Sequence, residues 1–148
     1  MLIGIGADHR GYTLKQEFIN CLKVNGFEVI DFGTDSKEFV DYPDFAEALA
    51  RKVSKGEIDY GILICDTGIG MSIAANKVKG AYVALVLDRD MAEAAGKHNK
   101  ANILAFSGEK TSIDEAWEMF NTWMKAEFKG GRHERRLKKV KAIEDARE

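Results

Sequence analysis

Tyr60-Gly-Ile-Leu-Ile-Cys-Asp-Thr-Gly-Ile-Gly70 is the stretch of this 148-residue chain from which its fold can be read. The first six residues are nearly all apolar instead of alternating, as in a strand buried on both faces. The chain then turns through Gly68 and Gly70 into Met71–Asn76, a run suited to a helix. A strand that ends in a glycine turn and re-enters as a helix is half of a βαβ unit, which points to a parallel sheet.

The same pattern extends in both directions. Further β-rich runs cover 2–7, 27–32, 81–87 and 102–106, and each is followed by a segment with helical spacing of apolar residues. The spacing predicts helices over about 11–25, 43–55, 69–79 and 89–98, a fifth capped by Ser112 with Glu115 at the capping-box position, and a long, highly charged helix over 131–147. Gly26 and Gly56 suit helix ends, and the single proline, Pro43, suits a helix start. The runs 60–65 and 81–87, being almost wholly apolar, are expected at the centre of the sheet. The expected fold is a single domain over 1–148: a three-layer α/β/α sandwich with a five-stranded parallel sheet, Rossmann-like, plus a C-terminal helix on the surface or bridging subunits.

Composition agrees with one globular domain. With 45% apolar and 31% charged residues the chain can build a core without disulfides or structural metal, which argues against disorder. The longest run free of charge, Thr67 to Asn76, has ten residues and includes Thr, Ser and Asn, whereas a membrane span needs about 20 apolar residues. The N-terminus has no basic region before its apolar start, so no secretory signal is expected. Cys21 and Cys65 stand in no metal-ligand spacing and fit a reducing compartment, so a cytoplasmic protein is expected. A net charge of −2 gives no general attraction to nucleic acid or anionic membrane.

In open parallel α/β sheets ligands collect beyond the carboxyl ends of the strands. That rule selects Asp8-His9-Arg10-Gly11, Asp41-Tyr42, the stretch Cys65 to Gly70, Asp88-Arg89 and Ser107-Gly108. The turn after Cys65 exposes backbone N–H groups to one point at a helix start, a place suited to an oxyanion. Cys65 is open to two readings, a small buried core residue or a thiolate acting as nucleophile or base. Asp8 is either half of an acid–base pair with a neighbouring imidazole or the N-cap of the first helix. His98, before the fifth strand, is either a satisfied capping residue or a titrating group. Arg132 and Arg136 stand one helical turn apart, beside His133, and can fork onto phosphate oxygens. The other reading is a solvated basic face; Glu134, Glu144 and Asp145 dilute it and no aromatic series accompanies it, which disfavours nucleic acid.

Several chemistries are excluded by spacing. Gly68-x-Gly70 lacks the third glycine of a dinucleotide fingerprint, and no Gly-Lys-Ser or Gly-Lys-Thr occurs. A cysteine phosphatase needs an arginine closing the loop after Cys65, where Met71 and Ser72 stand. No spacing suggests a catalytic metal.

Asp8-His-Arg-Gly11, Asp41-Tyr-Pro43, Gly61 through Lys77, His98-Asn99 with Asn102-Ile-Leu104, and Gly130-Gly-Arg-His133 with Arg136 together resemble the type B ribose-5-phosphate isomerases, grouped with the galactose- and allose-6-phosphate isomerases. The resemblance implies an aldose–ketose isomerisation through an enediolate, with neither metal nor cofactor. It implies Cys65 as the base, with Thr67 and the N–H groups of loop 66–70, among them Asp66, Gly68 and Gly70, holding the oxyanion. His98 with Asp8 resembles the pair that opens the sugar ring. Tyr42 and Asn99 resemble sugar-hydroxyl contacts, and His9, Arg132 and Arg136 with His133 resemble phosphate ligands. It also implies a homodimer or tetramer with shared sites, His98 and the C-terminal arginines serving different chains of one site. Six-carbon sugar phosphates are the alternative substrates.

The family usually has glycine where this chain has Asp66. A carboxylate facing the site would oppose thiolate formation and repel an anionic substrate; one pointing away would leave its N–H available to the loop. A reading from another class is a phosphate-responsive signalling domain, with Asp8, Asp66 and Lys110 in loose likeness to a receiver.

Overall fold

The computed structural model describes residues 1–147. Five strands, β1 (Leu2–Ala7), β2 (Glu28–Asp31), β3 (Tyr60–Cys65), β4 (Val83–Leu85) and β5 (Ile103–Ser107), form one sheet of order β2-β1-β3-β5-β4. Every neighbouring pair is parallel. The crossovers that parallel pairing demands are α1 (Tyr12–Val24), α2 (Tyr42–Ser54), α3 (Ile69–Asn76) and α4 (Arg89–Lys97), followed by α5 (Ile113–Lys125) and α6 (Arg132–Asp145).

Alternation along the strands divides the core in two. Ile62, Ile64, Leu104 and Phe106 face a layer closed by Leu14, Phe18 and Leu22 of α1, Ala92 and Ala95 of α4 and Phe120 and Trp123 of α5. Leu63, Cys65, Ile103 and Ala105 face the other layer, closed by Leu49 and Val53 of α2 and Met71 and Ala75 of α3. The three-layer α/β/α sandwich is therefore as expected. The predicted caps form as well: Ser112 Oγ accepts from the N–H of Glu115, whose carboxylate accepts from the N–H of Ser112, and Pro43 opens α2.

The strand 81–87 departs from expectation. It is not central but lies at the sheet edge, since β5 inserts between it and β3, and its regular part is only Val83–Leu85. The physical reason lies in two asparagines. Asn102 binds the Tyr82 N–H and the Gly80 carbonyl, and Asn76 binds both the N–H and the carbonyl of Val83. These side-chain amides take over backbone groups on both sides of the strand, Asn102 those facing β5 and Asn76 those of Val83, so the ladder starts late. The apolar character of the run does not record burial inside one chain: Tyr82 to Leu85 are half-buried and Leu87 is exposed.

The C-terminal helix α6 is docked on its own chain. Glu144, buried, accepts from the N–H of Gly80 at 2.7 Å, and Lys79 pairs with Asp145 at 3.1 Å. Among the described residues no helix is long and apolar enough to cross a membrane.

Candidate active site

The direction of sheet growth reverses between β1 and β3, and at such a switch point a crevice opens beyond the carboxyl ends of the strands. Cys65 ends β3, level with Ser107 at the end of β5, and Asp8 follows β1 immediately. Cys65 is 3% exposed and its side chain joins the layer of α2 and α3. The loop after it is tightly determined. Thr67 Oγ1 accepts from the N–H of Ile69 at 3.2 Å, and Gly68 caps α3 at φ +82°, a left-handed conformation that an L side chain resists. A Cβ on Gly68 would also come within 2.5 Å of Leu85. Gly70 serves close approach: a Cβ there would lie 2.6 Å from the ring of Tyr42, so the phenol rests on the first turn of α3. The first-turn N–H groups of α3 lack helical partners, and that of Ile69 is taken by Thr67 Oγ1.

In the bend after β3 the Asp66 carboxylate turns to Arg10, whose Nε donates to Oδ1 at 3.2 Å. Its carbonyl accepts from Ser107 Oγ at 2.7 Å and from the N–H of Glu109 at 3.2 Å.

Asp8, 6% exposed, accepts from the N–H groups of Arg10 and Gly11. It thus closes the turn that enters α1, while the N-cap position itself belongs to Gly11. His9 Nδ1 accepts from the N–H of Val40 at 3.2 Å, which leaves Nε2 as the donor nitrogen of the ring. Phe39 covers the ring, its centroid 4.8 Å away. The part played by Val40 was not legible in the sequence, since a backbone donor leaves no trace in residue type.

His98, Asn99, Arg132, His133 and Arg136 form a second group, and the structure does not bring it to Cys65. Helix α4 runs from the carboxyl end of β4 back to the amino end of β5, so residues 98 and 99 lie below Ile103. Cys65 is four ladder steps above that level, about 13 Å at 3.3 Å per residue. His98 and His133 stack with centroids 4.2 Å apart and planes 11° from parallel, and Lys129, just before α6, donates its N–H to the carbonyl of Lys97. The expectation that His98 and the C-terminal arginines serve different chains is therefore corrected: His98 and the helix bearing both arginines are one unit of one chain. Desolvation, then the charges of His98, Arg132, Arg136 and Lys129, hold the His133 imidazole below its ordinary pKa. Asn99 lies on the rim of a groove between β4 and α6, with Tyr82, Ala84 and Leu137. Among the described residues no three His, Cys, Asp or Glu side chains gather as a metal-binding group.

Comparison with known proteins agrees with this geometry. Residues 3–140 match the family model described as Ribose/Galactose Isomerase. Ribose-5-phosphate isomerase B of Escherichia coli is 42% identical over 145 residues, covering 98% of this chain and 97% of that protein. Among solved structures, ribose-5-phosphate isomerase B of Clostridium thermocellum superposes with a TM-score of 0.96 at 52% identity, covering 98% of each chain. The enzyme of Mycoplasma genitalium, solved with bound ribulose 5-phosphate, superposes at 0.93 and 42% identity, over 99% of this chain and 97% of that one. A match that spans both residue groups, on a fold shared nearly end to end, places this chain in the ribose/galactose isomerase family.

Proposed function

We propose that the chain interconverts ribose 5-phosphate and ribulose 5-phosphate through an enediolate, without a metal ion, in the cytoplasm, where its two free thiols would stay reduced. The observation that carries this is the position of Cys65, a buried cysteine that ends β3 at the switch point, directly before the glycine turn that starts α3. Its thiolate takes the proton from C2 of the open-chain aldose. The C2–H electron pair becomes the C1–C2 double bond and the carbonyl pair moves onto O1; a proton then passes from the C2 hydroxyl to O1, and the thiol returns its proton to C1 as the C2–O double bond forms. Thr67 and the amides of loop 66–70 hold the oxyanion, stabilisation that is present before the charge develops. Asp8 orients a sugar hydroxyl, Tyr42 bounds the sugar, and His9 Nε2–H meets the phosphate.

His98, Asn99, Arg132, His133 and Arg136 then complete the crevice of a second subunit, because their own Cys65 is out of reach. Exposed apolar side chains support a homodimer: Ile69 and Ile73, one turn apart on α3, are 52% and 58% exposed, and Leu87 and Met91, at the start of α4, are 46% and 40% exposed. In the assembled site the partner's arginines bind phosphate and His98 opens the furanose ring together with Asp8.

The experiment is turnover of ribose 5-phosphate by purified protein in excess chelator, with allose and galactose 6-phosphates alongside. Pentose turnover is expected. Exclusive hexose turnover would reassign the substrate, and phosphosugar binding without turnover of any sugar would favour the signalling reading.

A further inference from the structure

Over residues 8–11 and 65–70 the formally charged side chains are Asp8, Arg10 and Asp66, two acids against one base. The proposed substrate brings a phosphate dianion to this crevice, so the sign of the local field bears directly on binding. Arg10 and Asp66 meet across it from two fixed backbones. The N–H of Arg10 is held by Asp8 Oδ1 at 2.9 Å, and the carbonyl of Asp66 by Ser107 and Glu109. Between them runs the single bond from Arg10 Nε to Asp66 Oδ1, 3.2 Å long. Among the described residues neither side chain has another ionic partner within salt-bridge distance.

We propose that Arg10 is the charge-compensating residue of this site. By pairing with the carboxylate that directly follows Cys65, it keeps that negative field off the anion-receiving loop, and so sets affinity for the phosphosugar without taking part in proton transfer. This rests on the isomerase reading for its substrate. Arg10 acts through Asp66 and is a positioning residue. The pair is solvent-facing, with side chains 60% and 41% exposed, so its effect belongs to the class that salt screens. Removing Arg10 alone leaves two acids uncompensated; removing both charges leaves Asp8 alone and returns the net charge of these two segments to that of the natural chain.

The test is steady-state kinetics of R10Q, D66N and R10Q/D66N on ribose 5-phosphate at low and high ionic strength. At 10 mM salt, where the Debye length is about 30 Å, R10Q is expected to raise KM about fivefold with kcat within about twofold of the natural enzyme. The increase should shrink at 0.5 M salt, and R10Q/D66N, whose charge over the two segments equals that of the natural chain, should return to the natural KM. An unchanged KM for R10Q at low salt overturns the proposal. So does a KM for R10Q/D66N as high as that of R10Q, which would make Arg10 a direct ligand, and so does a fall in kcat at constant KM. Calorimetric titration of the same variants with ribulose 5-phosphate gives the parallel reading in dissociation constants. If the natural protein turns over no pentose, the isomerase reading fails on its own, and the titration still decides the role of Arg10.

Discussion

The imidazoles of His98 and His133 stack at 4.2 Å, joining the end of α4 to the start of α6. The contact places two titratable rings among Lys129, Arg132 and Arg136, and desolvation together with those charges lowers the pKa of His133 from 6.5. Above pH 6.5 the ring is neutral in folded and unfolded chains alike and stability is unaffected. As the pH falls through 6.5 the unfolded chain takes the proton first, so stability drops, and the loss is complete below the lowered folded value. Acidification from pH 7.5 to 5.5 should therefore reduce the melting temperature of the natural protein more than that of H133Q. Equal losses in thermal melts would show that His133 titrates normally.

Tyr42 lies against Gly70 so closely that a methyl group cannot be added without moving the ring, the nearest atoms being 2.6 Å from the added carbon. G70A is expected to displace the phenol while α3 persists, since alanine favours helix. A displacement of about 1 Å at a positioning group can cost up to about a hundredfold in kcat/KM, so a loss of at least about tenfold is expected with little change in melting temperature. Full activity in G70A would remove Tyr42 from the substrate wall.

Lys15 is wholly buried, yet its ammonium donates to both oxygens of Asp31, at 2.9 and 2.8 Å, and to Gln16. Asp31, 45% exposed, also accepts from the N–H of Gly33, where the chain leaves β2. The pair is asymmetric: removing the acid strands a buried cation, while removing the lysine leaves an acid that water can reach. D31A should cost about 3 kcal/mol and K15M clearly less. Urea midpoints measure both, and the reverse order would contradict the burial argument.

How much of this was legible in the sequence follows from which forces are local. The strands 2–7 and 60–65, the Ser112 capping box and the place of Pro43 depend on residues within one turn or one strand, and those readings match the structure. The insertion of β5 between β3 and β4 is a pairing choice between distant segments, and no periodicity records it. The direction of Asp66 depends on Arg10, 56 positions away. The separation of His98 from Cys65 could have been deduced, because a helix that leaves the carboxyl end of one strand must finish at the amino end of the next. The family likeness implied sites shared between subunits but did not say which end of the sheet carries His98.

That separation gives the sharpest test of the assembled site. With Cys65 at the carboxyl end of β3 and His98 beyond the amino end of β5, each site of the proposed homodimer would take Cys65 from one chain and His98 from the other. C65A and H98Q should each be inactive, C65A while still binding phosphosugar. Co-refolded in equal amounts, half the dimers combine one chain of each kind. Each such dimer has one site with both changes and one with neither, so about a quarter of all sites are intact. Turnover near a quarter of the natural value is expected in the mixture. A mixture as inactive as its parents would place both residues in one chain's site and would require the loop of His98 to move past the sheet.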